Sequence, residues 1–207
     1  MRVTSSPAIA GLVVIGSLIA CTGAALSLEQ TGAELEGIYR LQTHTRNDAG
    51  CELEGESVLD GEAAGYLALF TNEAMGEQYV QATACANADD CREKATLSRA
   101  MGTYWAAFEI VFSEADVDGL LGDEVSTGSA SMSADDPCYG TVAEHRLEAV
   151  EGAIRIEQRA TVIDEFPKDG RFCTTDAARA AAREAACSRL VVITAVREAD
   201  LGLGASR

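Results

Sequence analysis

The chain has little of what most catalytic and nucleic-acid-binding proteins rely on. Only two of its 207 residues are histidines, His44 and His145, so few groups titrate near neutral pH and acid–base chemistry has a narrow choice. Basic residues number 16 against 33 acidic ones, a net charge of −17, which argues against nucleic acid as a partner and against adhesion to anionic lipid through protein charge. No Cys-x-x-Cys or His-rich spacing points to zinc. No glycine-rich loop points to phosphate, and neither a Gly-x-Ser-x-Gly elbow nor a Ser-x-x-Lys pair is present to activate a hydroxyl. The many Asp and Glu residues are too dispersed to nominate a glycosidase pair without a fold. No cofactor is expected. What is there is an acidic surface on a chain long enough for one domain with a sizeable core.

Charge is also absent from residues 8 to 28. The first twenty residues contain the parts of an export signal: Arg2 with the amino terminus as a positive region, an apolar core from Ala8 to Ala20, and small residues at the end. Leu18-Ile19-Ala20-Cys21 reads as a lipobox and resembles the signal of bacterial lipoproteins, in which a peptidase cuts before a cysteine that is then acylated. The resemblance implies a signal peptide over residues 1–20 and a lipid-bearing Cys21 as the first mature residue. Several acyl chains, at about 0.8 kcal/mol per buried methylene, make such an anchor effectively permanent. Two other readings of the run are an ordinary secretory signal and an uncleaved membrane span. Thr22 stands where the resemblance would place an Asp for inner-membrane retention, so the outer membrane is the expected destination. Residues 21–34, poor in charge and rich in Ala, Gly, Ser and Thr, are expected to form a tether of at most roughly 45 Å. Residues 35–207 are expected to form one disulfide-bonded, β-rich domain.

Beyond Cys21 six cysteines remain: Cys51, Cys85, Cys91, Cys138, Cys173 and Cys187. An even number in an oxidising compartment favours up to three disulfides. Cys85 with Cys91 is the expected pair, across a polar turn-forming stretch; the others stay open.

Between Thr141 and Val162, alternation and charge agree on a hairpin around Glu151-Gly152. A two-residue loop there sets Glu148 opposite Arg155, Arg146 opposite Glu157 and Glu144 opposite Arg159, with Leu147 against Ile156 and Ala149 against Ile154 on the other face. Gly152 suits the positive φ of a type I′ turn. Further strands are expected over 35–46, 66–71, 78–84 and 103–112, the first with Tyr39, Leu41, Thr43 and Thr45 on one side and Arg40, Gln42, His44 and Arg46 on the other. Breaks rich in Gly, Asp and Ser are expected at 54–65, 113–135 and 167–175. Thr174, Thr175 and Asp176 are N-cap candidates for one Ala-rich helix running to Cys187, and Leu190 to Val196 reads as a final strand, central or covered. The fold class is mainly β, an antiparallel meander or barrel with one C-terminal helix before the last strand. Gly37-Ile38-Tyr39 near the first strand, followed by the meander and late helix, resembles the lipocalin-like barrels in architecture; the family's Gly-x-Trp is here Gly37-Ile38-Tyr39 without the Trp.

Candidate site residues follow from the register. His145 points inward with Gln158 opposite, and a polar pair on an apolar wall can orient a ligand. His44 is expected on the solvated face. Residues 114–125 resemble a calcium loop through Asp116, Asp118 and Gly119, but Glu114 and Val125 replace the first and last ligands, so Asp116 and Asp118 are at most weak metal candidates. Ser126 to Ser133 reads as a loop. The function these features favour is a cell-envelope lipoprotein, attached to the membrane by its lipid, whose domain binds a small apolar ligand or another envelope component. The alternatives are a structural surface lipoprotein without a ligand and an envelope hydrolase.

Overall fold

In a computed structural model of the chain, the described residues are 27–52, 56–57, 65–74, 76–101, 109–117, 119–131, 133, 136–150, 152–170 and 172–202. Cys21, Trp105 and Asp118 lie outside them, as does most of the 103–112 stretch expected to be a strand. The strands are β1 (Gly37–Asn47), β2 (Glu56–Ser57), β3 (Tyr66–Ala74), β4 (Glu77–Cys85), β5 (Glu109–Phe112), β6 (Glu114–Asp116), β7 (Gly119–Ser129), β8 (Cys138–Val150), β9 (Ala153–Phe166) and β10 (Arg189–Ala199). The helices are α1 (Leu28–Leu35), α2 (Ala88–Met101) and α3 (Thr175–Ala182).

The sheet is antiparallel in the order β5-β4-β3-β1-β10-β9-β8-β7-β6, with β2 beside β1. Its two ends are halves of one strand. β5 pairs with β4, and after the single residue Ser113, β6 pairs with β7 on the opposite edge. The Ser113 amide donates to the Leu121 carbonyl at 2.9 Å, carrying the seam between them. The meander thus wraps into a nearly closed barrel, which leaves few exposed edges. At the seam β5 passes so close to β7 that a Cβ on Gly122 would stand 2.0 Å from the Val111 carbonyl oxygen.

Alternation decides what the barrel contains. Tyr39, Leu67, Val80, Phe112, Leu120, Leu147, Ile156 and Ile193 are buried together inside, each such side chain contributing about 1.5–3 kcal/mol. The β8–β9 hairpin has the expected register throughout, from Val150 opposite Ala153 to Ala143 opposite Ala160, and Gly152 has φ +81°. On its outer face Arg146 reaches Glu148 along the strand, while Arg155 and Arg159 both reach Glu157. The final strand is central, between β1 and β9, which explains its apolar run.

Several expectations need correction. The 113–135 stretch is not a loop: residues 114–116 and 119–129 are strands, and Ser126 to Ser129 belong to β7. Its composition is poor in β-formers, and pairing with β8 over its whole length supplies the order. Among the described residues, two helices accompany the expected one. α1 lies in the stretch read as tether; Ser27 and Gln30 cap it reciprocally, and Leu28 and Leu35 pack against the barrel core. α2 begins under the Asn87 side chain, which accepts from the Asp89 and Asp90 amides. It covers the outer face of β3 and β4 through Phe70, Cys91 and Ala95 and through a buried hydrogen-bonded group of Asn72, Gln81, Thr83 and Ser98. α3 starts at the expected cap, Thr174, but ends at Ala182 rather than Cys187, packing Ala178 on Val142, Ile163 and Phe166.

The long connections all lie at one end of the barrel, where the disulfides are: Cys85–Cys91 as expected, Cys51–Cys187 and Cys138–Cys173. The opposite end has the tight β3–β4, β6–β7 and β8–β9 turns, and α1 crosses it, touching β3, β4, β6 and β7. We refer to these as the mouth and the plugged end.

Gly122→Ala is expected to lower stability by about 1–3 kcal/mol, because the new methyl meets backbone that cannot swing away. Urea unfolding of the variant against wild type measures it; an unchanged midpoint would mean that the seam is not tightly closed.

Candidate functional site at the barrel mouth

The inward-facing row changes character along the barrel. Above Leu147, Ile156 and Val191 the inner positions become His145, Gln158 and Arg189, with Thr141 farther along β8 and Glu124 and Ser126 on adjoining β7. Six of the nearby side chains, Glu124, Ser126, Thr141, Gln158, Arg189 and Ala143, together with Ala160, line a cavity of about 140 Å³. Among the described residues, Glu124, Ser126, Thr141 and Gln158 make no side-chain hydrogen bond or ion pair within the protein. Concave polar groups without partners are satisfied by water or by a ligand. Arg189 is positioned from the side: its Nε lies 3.3 Å from Asp48, which also takes Arg46 at 2.8 Å. The Cys51–Cys187 bridge holds the two chain segments that carry Asp48 and Arg189 together.

His145 sits directly across from Gln158 in the register and is only 3 % exposed. Its ring meets Phe112 edge-on, with centroids 6.5 Å apart, and its Nδ1 has no hydrogen-bond partner among the described residues. Burial pushes its pKa down to about 4, against the opposing pull of Asp123. The imidazole is therefore neutral at physiological pH. It does not line the mouth cavity; it contributes instead to a larger outer concavity of about 740 Å³ across β7, β8 and β9. Much of the charge there is already paired, in Arg146–Glu148, Arg159–Glu157 and Arg179–Asp123.

His44 is not where alternation alone puts it. A β-bulge between Leu41 and Thr43 inserts one residue, so Leu41 still faces Ala195 but His44 falls beside Ile193, on the inner face, and Thr43 turns outward to bond Thr194 at 2.6 Å. Half-buried, His44 has its pKa lowered by desolvation and by Arg46. Of the two metal candidates, Asp116 ends β6, where its carboxylate accepts from the Val117 amide, and Asp118 lies outside the described residues, among which no group of three His, Cys, Asp or Glu could hold an ion.

Glu124 and Arg189 were not singled out from sequence. Arg189 was legible, since Arg189, Val191, Ile193 and Ala195 share one period-two row. Glu124 lay in a stretch whose composition hides its strand. Comparison of the chain with known families, with curated proteins and with solved structures finds no match.

Because His145 is held neutral, the unfolded chain takes up its proton first as pH falls. Stability is fully present above about pH 6.5 and is lost progressively toward pH 4, by on the order of 3 kcal/mol. Replacing His145 with Gln should flatten that part of the acid limb, read from urea midpoints at stepped pH. An identical slope in the variant would assign the acid sensitivity elsewhere.

Proposed function

We propose that this chain is a lipid-anchored binding protein of the bacterial cell envelope, held through Cys21, delivered to the outer membrane, and taking a small molecule into the barrel mouth. The observation that carries the binding reading is the cavity whose Glu124, Ser126, Thr141 and Gln158 groups have no partner among the described residues, with Arg189 beside them. Its lining favours a polar ligand over the apolar one that an inward apolar wall suggests, because the apolar part of the interior is occupied by its own side chains. A cavity near 150 Å³ accepts a six-membered ring, so the volume of about 140 Å³ sets the ligand at fragment size. Support for export comes from the lipobox at Leu18 to Cys21 and from three disulfides, which persist in oxidising compartments. Support for a binding role also comes from the disulfide-tied mouth, where Cys51–Cys187 holds the segments that set Arg189 beside Asp48 before any ligand arrives.

Native mass spectrometry of the protein from its own membrane, followed by a thermal-shift screen of small polar molecules, tests this. A co-purified or stabilising molecule is expected, with affinity reduced about tenfold in Gln158→Ala, the loss of one or two neutral hydrogen bonds. Binding that is unaltered by Gln158→Ala and by Arg189→Ala, or no binding at all, would remove the mouth as the site.

A further inference from the structure

We propose that the plugged end of the barrel rests on the membrane surface, with the β6–β7 and β8–β9 turns against the lipid and the mouth turned away from it. The inference rests on the reading that Cys21 is acylated. Ser27 caps α1 at the plugged end, and only five residues separate it from Cys21, so the six steps between them reach at most about 20 Å. The barrel wall is taller than that: strands of 11 to 14 residues, tilted as barrel strands are, stand about 30 Å high. The leash is therefore too short to let the mouth face the bilayer.

The surface at this end fits an interfacial position. Val117, at the β6–β7 turn, is 75 % exposed, and Val150 and Val196 are 56 % and 41 % exposed. Val150 pairs with Ala153, and Ala153 with Val196, so the last two valines flank one apolar strip on the outer wall. Charged groups beside the strip are paired, Arg40 with Glu198 at 3.0 Å and Arg146 with Glu148 at 2.9 Å, which lessens their repulsion from phospholipid headgroups. Exposed apolar side chains also occur near the mouth, at Tyr139 and Phe172, and these are the surface the opposite orientation would use.

Hydrogen–deuterium exchange distinguishes the two. The acylated protein, reconstituted in phosphatidylethanolamine–phosphatidylglycerol vesicles, is compared with soluble Cys21→Ser protein. At least threefold slower exchange is expected at the amides of Val117, Gly119, Val150 and Gly152, with no change at Ser131, Ser133 or Phe172. Protection at the mouth amides instead, along the outer face of β7 to β9, or nowhere, would overturn the orientation while leaving the anchor standing. The intact mass is read from the same preparation, and an unacylated Cys21 would overturn the anchor and the orientation together.

Discussion

One strand, split at Ser113, closes this protein. Its first half satisfies the free edge of β4 and its second half the free edge of β7, so a sheet that would otherwise end in two rows of unpaired amides and carbonyls becomes a nearly continuous wall. Everything inside depends on that seam. Phe112 reaches His145 only because β5 crosses over β7, and β5 can do so only because position 122 carries no side chain. The interior is sealed from the flank by backbone pairing, and from the plugged end by α1.

The two ends of the barrel solve different problems. At the plugged end the connections are tight turns, which cost little entropy to close, and a capped helix supplies the apolar cover. At the mouth the connections are long, and the disulfides tie them down: Cys51–Cys187, with a sequence separation of 136, joins two of them, while Cys138–Cys173, with a separation of 35, and Cys85–Cys91, with a separation of 6, each fasten one. In the loop-entropy picture the longest closure contributes most, about 5 kcal/mol against about 2 for the shortest. The same bridge that limits the unfolded chain most also sets Asp48 against Arg189. Stability and the geometry of the polar mouth thus share one covalent constraint.

The inner row shows the complementary economy. Below the level of His145 it is apolar and packed, and above it the side chains are polar and open onto a cavity. His145 marks the boundary. It is buried deeply enough to stay neutral, yet lies opposite Gln158, which lines the cavity.

Alternating hydrophobicity and complementary charge in residues 141–162 were enough to specify the hairpin, its register and its inward face, because neighbours two residues apart in a strand and directly opposite across a turn are local facts. The C-terminal helix cap, the central last strand and the Cys85–Cys91 pair were legible for the same reason: each depends on residues close in the chain. Other features were settled only by distant partners. The Gly-, Asp- and Ser-containing strand at 119–129 exists because β8 pairs with it, and His44 faces inward because the bulge against β10 shifts the register. The cavity likewise needs β7, β8, β9 and β10 side by side, since no single strand contributes more than two of its lining residues. Local pattern specifies which way a side chain points along its own strand; only closure of the sheet determines what stands across from it.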